Sequence, residues 1–425
     1  MDEHNPPGVG AAPAREKAAI RRLMIFFALV YLVEGAGQIV GLLAQPLSYF
    51  LKEVHGWNAL QVTAYITVFN FPWIIKPLYG ALSDFVPIFG YRRKSYLIAA
   101  NVAATGGFVW AAQLDTPDRL VWALQITAYG MAISSTICGA VLVENGQQLH
   151  ESGHFVNQQW LWFNAATVIA SILGGALVQW LPPTTALHAA ALIVAIAPLS
   201  VLLGTLLLID ETKSRIDLPA LRATYGGLVE TFRRRELWVL AIFLFLYYFS
   251  PGLGTPLYYY MTDDLKFSQG FIGILGSIGA AGWVAGALLY RWLLDDWPSR
   301  RLLYLSIVLG TVTTAAYVFL HDETSAAILG FCSGFAAMAA TVATVTLAAD
   351  YCPPRSEGFT FAIMMSVINL ATLAANNVGS YLYDAPFHKN LIPLILVSAA
   401  FTAFAFALVP MLRLGNKRQG EPVTA

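Results

Sequence analysis

Apolar stretches of about twenty residues recur along most of this chain, broken by short clusters of charge, proline and glycine. A hydrocarbon core of about 30 Å is crossed by about 20 apolar residues in a helix. Reading apolar runs against turn residues predicts twelve membrane-spanning helices, starting near residues 23, 58, 95, 119, 155, 186, 236, 269, 301, 324, 357 and 389. The expected fold class is an all-α membrane protein.

The polar positions between the spans orient the scheme. With a cytoplasmic N-terminus, 20 of the 25 lysines and arginines fall on inside segments and four on outside loops, leaving Lys76 within a span. That asymmetry predicts an N-in, C-in topology. The boundaries follow: a polar cytoplasmic tail at 1–20, a six-helix bundle at 21–209, a cytoplasmic linker at 210–235, a second six-helix bundle at 236–412 and a tail at 413–425. The apolar run opening helix 1 is long and carries Glu34 and Gln38, so it reads as a retained helix and not as a cleaved signal.

The two halves echo each other. Gly80-Ala81-Leu82 and Gly286-Ala287-Leu288, Lys94 and Arg300, and Glu144 and Asp350 each recur at an offset of 206 residues. Matches in order at one spacing predict two parallel six-helix repeats, with the binding site near mid-membrane between them.

Composition narrows the classes. Hydrophobic residues make up 57% of the chain and charged ones 12%, against about 25% charged in soluble domains. Formal net charge is zero, which gives no electrostatic case for nucleic acid. Three scattered cysteines imply no disulfide framework. There is no phosphate-binding glycine loop followed by Lys-Ser/Thr, hence no ATP-binding signature. No His-Glu-x-x-His or Cys-x-x-Cys pattern occurs, so neither a cofactor nor a metal site is expected. No clustered nucleophile and base suggests an enzyme.

Ionisable groups inside spans are expensive and mark function or pairing. Tyr31, Glu34, Gln38, Gly41 and Gln45 follow one another at helical spacing, which predicts a polar face on helix 1: a cavity lining, or hydrogen-bonding glue between helices. Lys76 sits in the stretch Phe69–Gly80 with Asn70 and Trp73. By helical rise, Glu34 lies about 15 Å and Lys76 about 12 Å from the inner surface, so the two are expected to face each other as an ion pair or to exchange that pairing for a proton or substrate. A static pair or a snorkelling lysine are the alternatives. Ser366, Asn369, Thr372, Asn376 and Ser380 predict a second polar face, on helix 11. Substrate or coupling roles are therefore assigned to Glu34, Lys76, Gln38, Tyr31, Asn70, Trp73, Asn369 and Asn376.

Pro251, Gly252, Gly254 and Pro256 lie within six residues and preclude a regular helix 7, which reads as an outer gate at Pro251, Gly252 and Pro256. Asp84, Arg92, Arg93, Glu144 and Asp350 are expected to form inner charge pairs that set the conformational equilibrium. The glycine stripe Gly270 to Gly286 on helix 8 reads as close helix packing.

Gly80-Ala81-Leu82-Ser83-Asp84 followed by Gly90-Tyr91-Arg92-Arg93-Lys94 resembles the loop 2–3 signature of the major facilitator superfamily. The longer version, Pro72-Trp73…Lys76-Pro77-Leu78-Tyr79-Gly80…Ser83-Asp84…Pro87-Ile88…Gly90-Tyr91-Arg92-Arg93, is similar to the folate–biopterin transporter (BT1) family, and the resemblance extends over about residues 20–412. Members tend to carry aspartates along helix 4, where this chain has only Glu144 after Ser134-Ser135-Thr136. The compact length also fits the family's bacterial magnetosome-membrane branch. The resemblance thus implies a secondary carrier working by alternating access. Its cargo would be a folate- or pterin-like compound, or iron in the magnetosome branch. Trp73 or Tyr79 could stack a pterin ring. Because Glu34 is titratable, protons are the expected coupling ion. The expected location is a bacterial cytoplasmic membrane or one derived from it. A non-transporting scaffold or sensor that retained the fold is the alternative.

Overall fold

Helices dominate because lipid offers no partner for backbone N–H and C=O groups, and a helix pairs them within one segment. The computed structural model describes residues 11–38, 41–149, 152–214, 235–290, 297–350 and 357–412. In the first sequence half these fold as α1 (Ala11–Gly37), α2 (Ala44–Glu53), α3 (Ala59–Ile74), α4 (Lys76–Phe85), α5 (Lys94–Ala111), α6 (Pro117–Gln148), α7 (Ser152–Trp180) and α8 (Pro183–Leu208). The second half holds α9 (Arg235–Tyr248), α10 (Gly254–Asp263), α11 (Gln269–Leu289), α12 (Ser299–Ala316), α13 (Glu323–Asp350), α14 (Glu357–Asp384) and α15 (Leu391–Leu408). No strand forms among the described residues. Among the described residues, eight helices or helix segments are long and apolar enough to cross a membrane unaided, which makes this a multi-pass integral membrane protein.

Among the described residues, three apolar segments break where the sequence removes or strains helical bonds. The first lies between Gly37 and Ala44, a stretch bracketed by Gly35, Gly37, Gly41 and Pro46. Leu42 N–H turns back to the Ala36 carbonyl and Gly41 N–H to that of Gln38. This corrects the expected continuous polar face of helix 1: Tyr31 and Glu34 lie on α1, while Gln38 and Gly41 leave the helix and Gln45 starts a new one. The second break, at Ile75, follows Pro72 and precedes Pro77. The third, Phe249–Leu253, coincides with Pro251 and Gly252.

By packing, the chain divides into two compact units. One comprises Met1–Leu43, Leu78–Ala170 and His188–Ile216; the other comprises Ala44–Pro77, Ser171–Leu187 and Asp217–Ala425. In the first, α1 packs on α6 and α5 runs along α6, around buried Phe26, Phe27, Phe108 and Phe155. In the second, α11, α12 and α13 pack side by side, and α14 lies against α3, α9 and α10. The α11–α13 crossing is backbone to backbone: a Cβ on Gly282 would stand 2.1 Å from the Phe331 carbonyl oxygen, and one on Gly334 2.0 Å from that of Gly279. Only glycine admits that approach, so the helix 8 stripe serves packing.

Candidate functional site at the helix breaks

In the first unit, Glu34 sits one turn before the break in α1 and faces α6, where the Ser135 hydroxyl donates to its Oε1 at 2.7 Å. Its second oxygen, Oε2, is buried without a hydrogen-bonding protein partner, and so is the hydroxyl of Tyr31, itself fully buried. Tyr31, Glu34 and Cys138 are close enough to interact electrostatically. The polar seam continues through Ser134, whose hydroxyl accepts from Asn101 Nδ2 at 3.1 Å. Buried polar groups are normally satisfied. Here one carboxylate oxygen of Glu34 and the phenol of Tyr31 are not. Ser135 and Asn101 were missed by sequence reasoning, although three consecutive hydroxyl residues in an apolar helix were a readable signal.

In the second unit, Lys76 begins α4 directly after the second break, and its Nζ stands 4.2 Å from the centroid of the Trp73 ring. A cation over an indole face is an electrostatic attraction to the ring quadrupole. Pro77 explains a neighbouring contact. In a regular helix the Trp73 carbonyl would accept from residue 77, but proline has no N–H. Asn369 Nδ2, from α14, donates to that orphaned carbonyl at 3.3 Å. Asn70 turns back on its own helix, to the Ile66 carbonyl at 3.2 Å. Glu34 and Lys76 thus each have local company, Ser135 and Trp73 respectively, and they belong to different compact units.

Part of the α14 polar face, together with Asn377, hydrogen-bonds to α3. Asn377 Nδ2 donates to Thr67 Oγ1 at 2.6 Å, and Thr63 Oγ1 shares hydrogen bonds with Ser380 (2.7 Å) and with Thr255 of α10 (2.8 Å). Asp384 Oδ2 accepts from the Leu60 N–H at 2.6 Å, at the start of α3. Asn377, next to Asn376 in the chain, is a bond-former, while Ser366 and Thr372 bond to carbonyls of their own helix. The same end of the unit holds Lys52, bridged to Asp263 and lying over the rings of Tyr258 and Tyr259. Gln45 there donates to Gln269 Oε1 at 2.9 Å.

The third break is clamped. Gly252 N–H donates to the Ala375 carbonyl of α14 at 2.8 Å; Ser398 Oγ, on α15, donates to the Pro251 carbonyl at 2.6 Å. A Cβ on Gly252 would meet Asn376 Oδ1 at 2.2 Å, so Asn376 lies on this break. Pro256 falls in the first turn of α10, where no helical N–H is needed.

Asp84, Ser83 and Glu144 converge on Arg93, whose side chain is only 7% exposed. Its guanidinium bridges Asp84 (2.5 Å) and Glu144 (2.6 Å) and donates to Ser83 Oγ at 2.6 Å. Burial alone would push this guanidinium's pKa down; Glu144 and Asp84 outweigh it and hold the pKa above the ordinary value. Glu211, just after α8, accepts from the backbone N–H groups of Arg92 (2.7 Å), Arg93 (3.0 Å) and Lys94 (2.8 Å), capping α5. Arg92 therefore joins through its backbone. Glu211 was not foreseen. Asp350 ends α13, and its side chain lies outside the described residues.

Known proteins with related sequences are transporters. A folate-biopterin transporter of Synechocystis sp. is 28% identical over 97% of this chain and 84% of its own length. Folate transporter 2 of Plasmodium falciparum is 23% identical over 90% of this chain and 87% of its own. Among solved structures, a mutant of the nucleoside transporter NupG superposes with a TM-score of 0.72 at 13% identity, covering 93% of this chain and all of that one. A D-xylose-proton symporter gives 0.68 at 14% identity, covering 95% and 100%. These neighbours share the fold of major facilitator transporters. The relatives place the chain among transporters and not among enzymes. The BT1 family model matches residues 36–418, and the chain belongs to the BT1 family.

Proposed function

We propose that this protein is a secondary carrier that moves a folate- or pterin-like compound by alternating access, coupled to protons. The observation that carries the reading is the coincidence of ionisable groups with helix breaks: Glu34 one turn before the first break and Lys76 at the second. Irregular backbone at membrane depth is tolerated only where protein or a water-filled cavity surrounds it, and carriers build their sites there. Glu34, with one carboxylate oxygen held by Ser135 and the other open, is the coupling residue. Lys76 and Trp73 serve the substrate, substrate or coupling roles fall also to Tyr31, Gln38, Asn70, Asn369 and Asn376, and Glu34 and Lys76 act in the same cycle.

Twelve passes complete the topology. Eight helices cross unaided; the broken pairs α1/α2, α3/α4 and α9/α10 add three passes, and the 18-residue α5 adds the twelfth. The charge asymmetry supports N-in, C-in, with two six-helix halves at 21–209 and 236–412 in a bacterial cytoplasmic membrane or one derived from it. In that frame the α3–α14 bonds and the Lys52–Asp263 bridge form an outer seal, and Arg93 with Asp84 and Glu144 forms the inner latch. The names of the relatives favour an organic cargo over iron. No trio of His, Cys, Asp or Glu gathers among the described residues to hold a metal ion.

The test is uptake by proteoliposomes of labelled folate, biopterin, ferrous iron and ferric iron under an imposed proton gradient. The expected result is saturable uptake of folate or biopterin that collapses when the gradient is dissipated. Uptake of iron alone, or of none of the four, overturns the proposal.

A further inference from the structure

The Trp73–Lys76 pair carries an inference about the cargo's chemistry, and it rests on the substrate reading above. Trp73 is held from behind: its carbonyl, deprived of a helical partner by Pro77, is taken by Asn369 from α14. Its ring is only partly buried, and the ammonium of Lys76 lies over it at 4.2 Å from the centroid. The two partners differ in stiffness. The indole has two torsions on a fixed backbone, whereas the lysine is a compact charge on a flexible four-carbon stem.

We propose that this pair is a covered platform for planar heteroaromatic acids. The ammonium occupies the ring face that the ligand's ring system takes. A ligand carboxylate draws it off, because a charge-assisted bond to an anion outcompetes a cation–π contact. Loading is then an exchange: Lys76 passes from Trp73 to the carboxylate, and the exposed indole face receives the ring. Ligands with the ring but no acid must displace the ammonium without compensation, and so bind more weakly.

Folate, which carries carboxylates, and biopterin, which carries none, separate these contributions. Equilibrium binding of each labelled compound is measured on the purified full-length protein in lipid nanodiscs, with monodispersity and thermal stability checked for every variant. Lys76→Met is expected to weaken folate by about tenfold or more and to tighten biopterin by about two- to fivefold, because the ring face is uncovered. Lys76→Arg keeps the charge and is expected to hold folate within about threefold. Trp73→Leu should weaken both ligands by about tenfold.

Three results overturn the platform. Lys76→Met affects both ligands by the same factor; it weakens folate but leaves biopterin unchanged, making Lys76 a plain anion site; or it affects neither. In each of these the wild-type protein still binds folate, so the carrier reading stands. Failure of the wild-type protein to bind either compound removes the substrate class and the platform together.

Discussion

Two regions join helices distant in sequence, and they do it with opposite chemistry. Along α3 and α14 the partners are neutral and short: Thr63 with Ser380, Thr67 with Asn377, and the Trp73 carbonyl with Asn369. Around Arg93 the partners are charged: one buried guanidinium held by Asp84 and Glu144, with Glu211 capping the next helix. Hydrogen bonds between helices in lipid are worth about 0.6 kcal/mol each on average. Stranding a buried charge by removing its partner costs about 3–5 kcal/mol. A seam of weak, separate bonds can part step by step, whereas a single charged hub holds or fails as one.

The largest expected effect breaks the hub. Replacing both carboxylates, Asp84→Asn with Glu144→Gln, leaves the Arg93 charge buried and is expected to cost up to about 3–5 kcal/mol in detergent unfolding. Arg93→Met is expected to cost less, because Asp84 and Glu144 are 44% and 39% exposed and can turn to water. Equal costs would mean that Arg93 is not the element that needs partners.

Next in size is the clamp on the third break. A Cβ on Gly379 would stand 2.0 Å from the Gly252 carbonyl oxygen. Gly379→Ala is therefore expected to lose about 1–3 kcal/mol of thermal stability by overpacking. A neutral result would show that the break is free to shift, as a gate would be, and not clamped.

The smallest effect falls on the seam. Asn377→Leu removes one interhelical bond and should shift the equilibrium toward the opened seam by about threefold, the equivalent of about 0.6 kcal/mol. This is read as maleimide labelling of a cysteine introduced at Thr255, and a second loss at Ser380→Ala should multiply the shift. A tenfold or larger change from either alone would show that the seam is cooperative, like the hub.

Much of this was legible in the residues. From the second run onward, helices begin within about three residues of the expected starts, whereas α1 begins at Ala11 and not near 23; Pro251 with Gly252 announced the break between α9 and α10. The break after Gly37 was hidden, because polar spacing through Tyr31, Glu34, Gln38, Gly41 and Gln45 is the same whether or not the helix continues between them. Asn369 could have been assigned to the Trp73 carbonyl from Pro77 four residues on, once α14 was known to lie alongside. Glu211 left no local trace: it caps a helix 117 residues away in the chain, and only the fold brings them together. Ser135 was visible as a hydroxyl in an apolar helix, but not as the partner of Glu34.

The central claim is that a titratable carboxylate at a helix break couples transport to protons. It is tested most directly by comparing two assays on Glu34→Gln in proteoliposomes: folate accumulation driven by a proton gradient, and folate exchange with no gradient. The account predicts that accumulation is lost while exchange persists at a rate independent of pH. Accumulation at the wild-type level in a stably folded Glu34→Gln protein would contradict it.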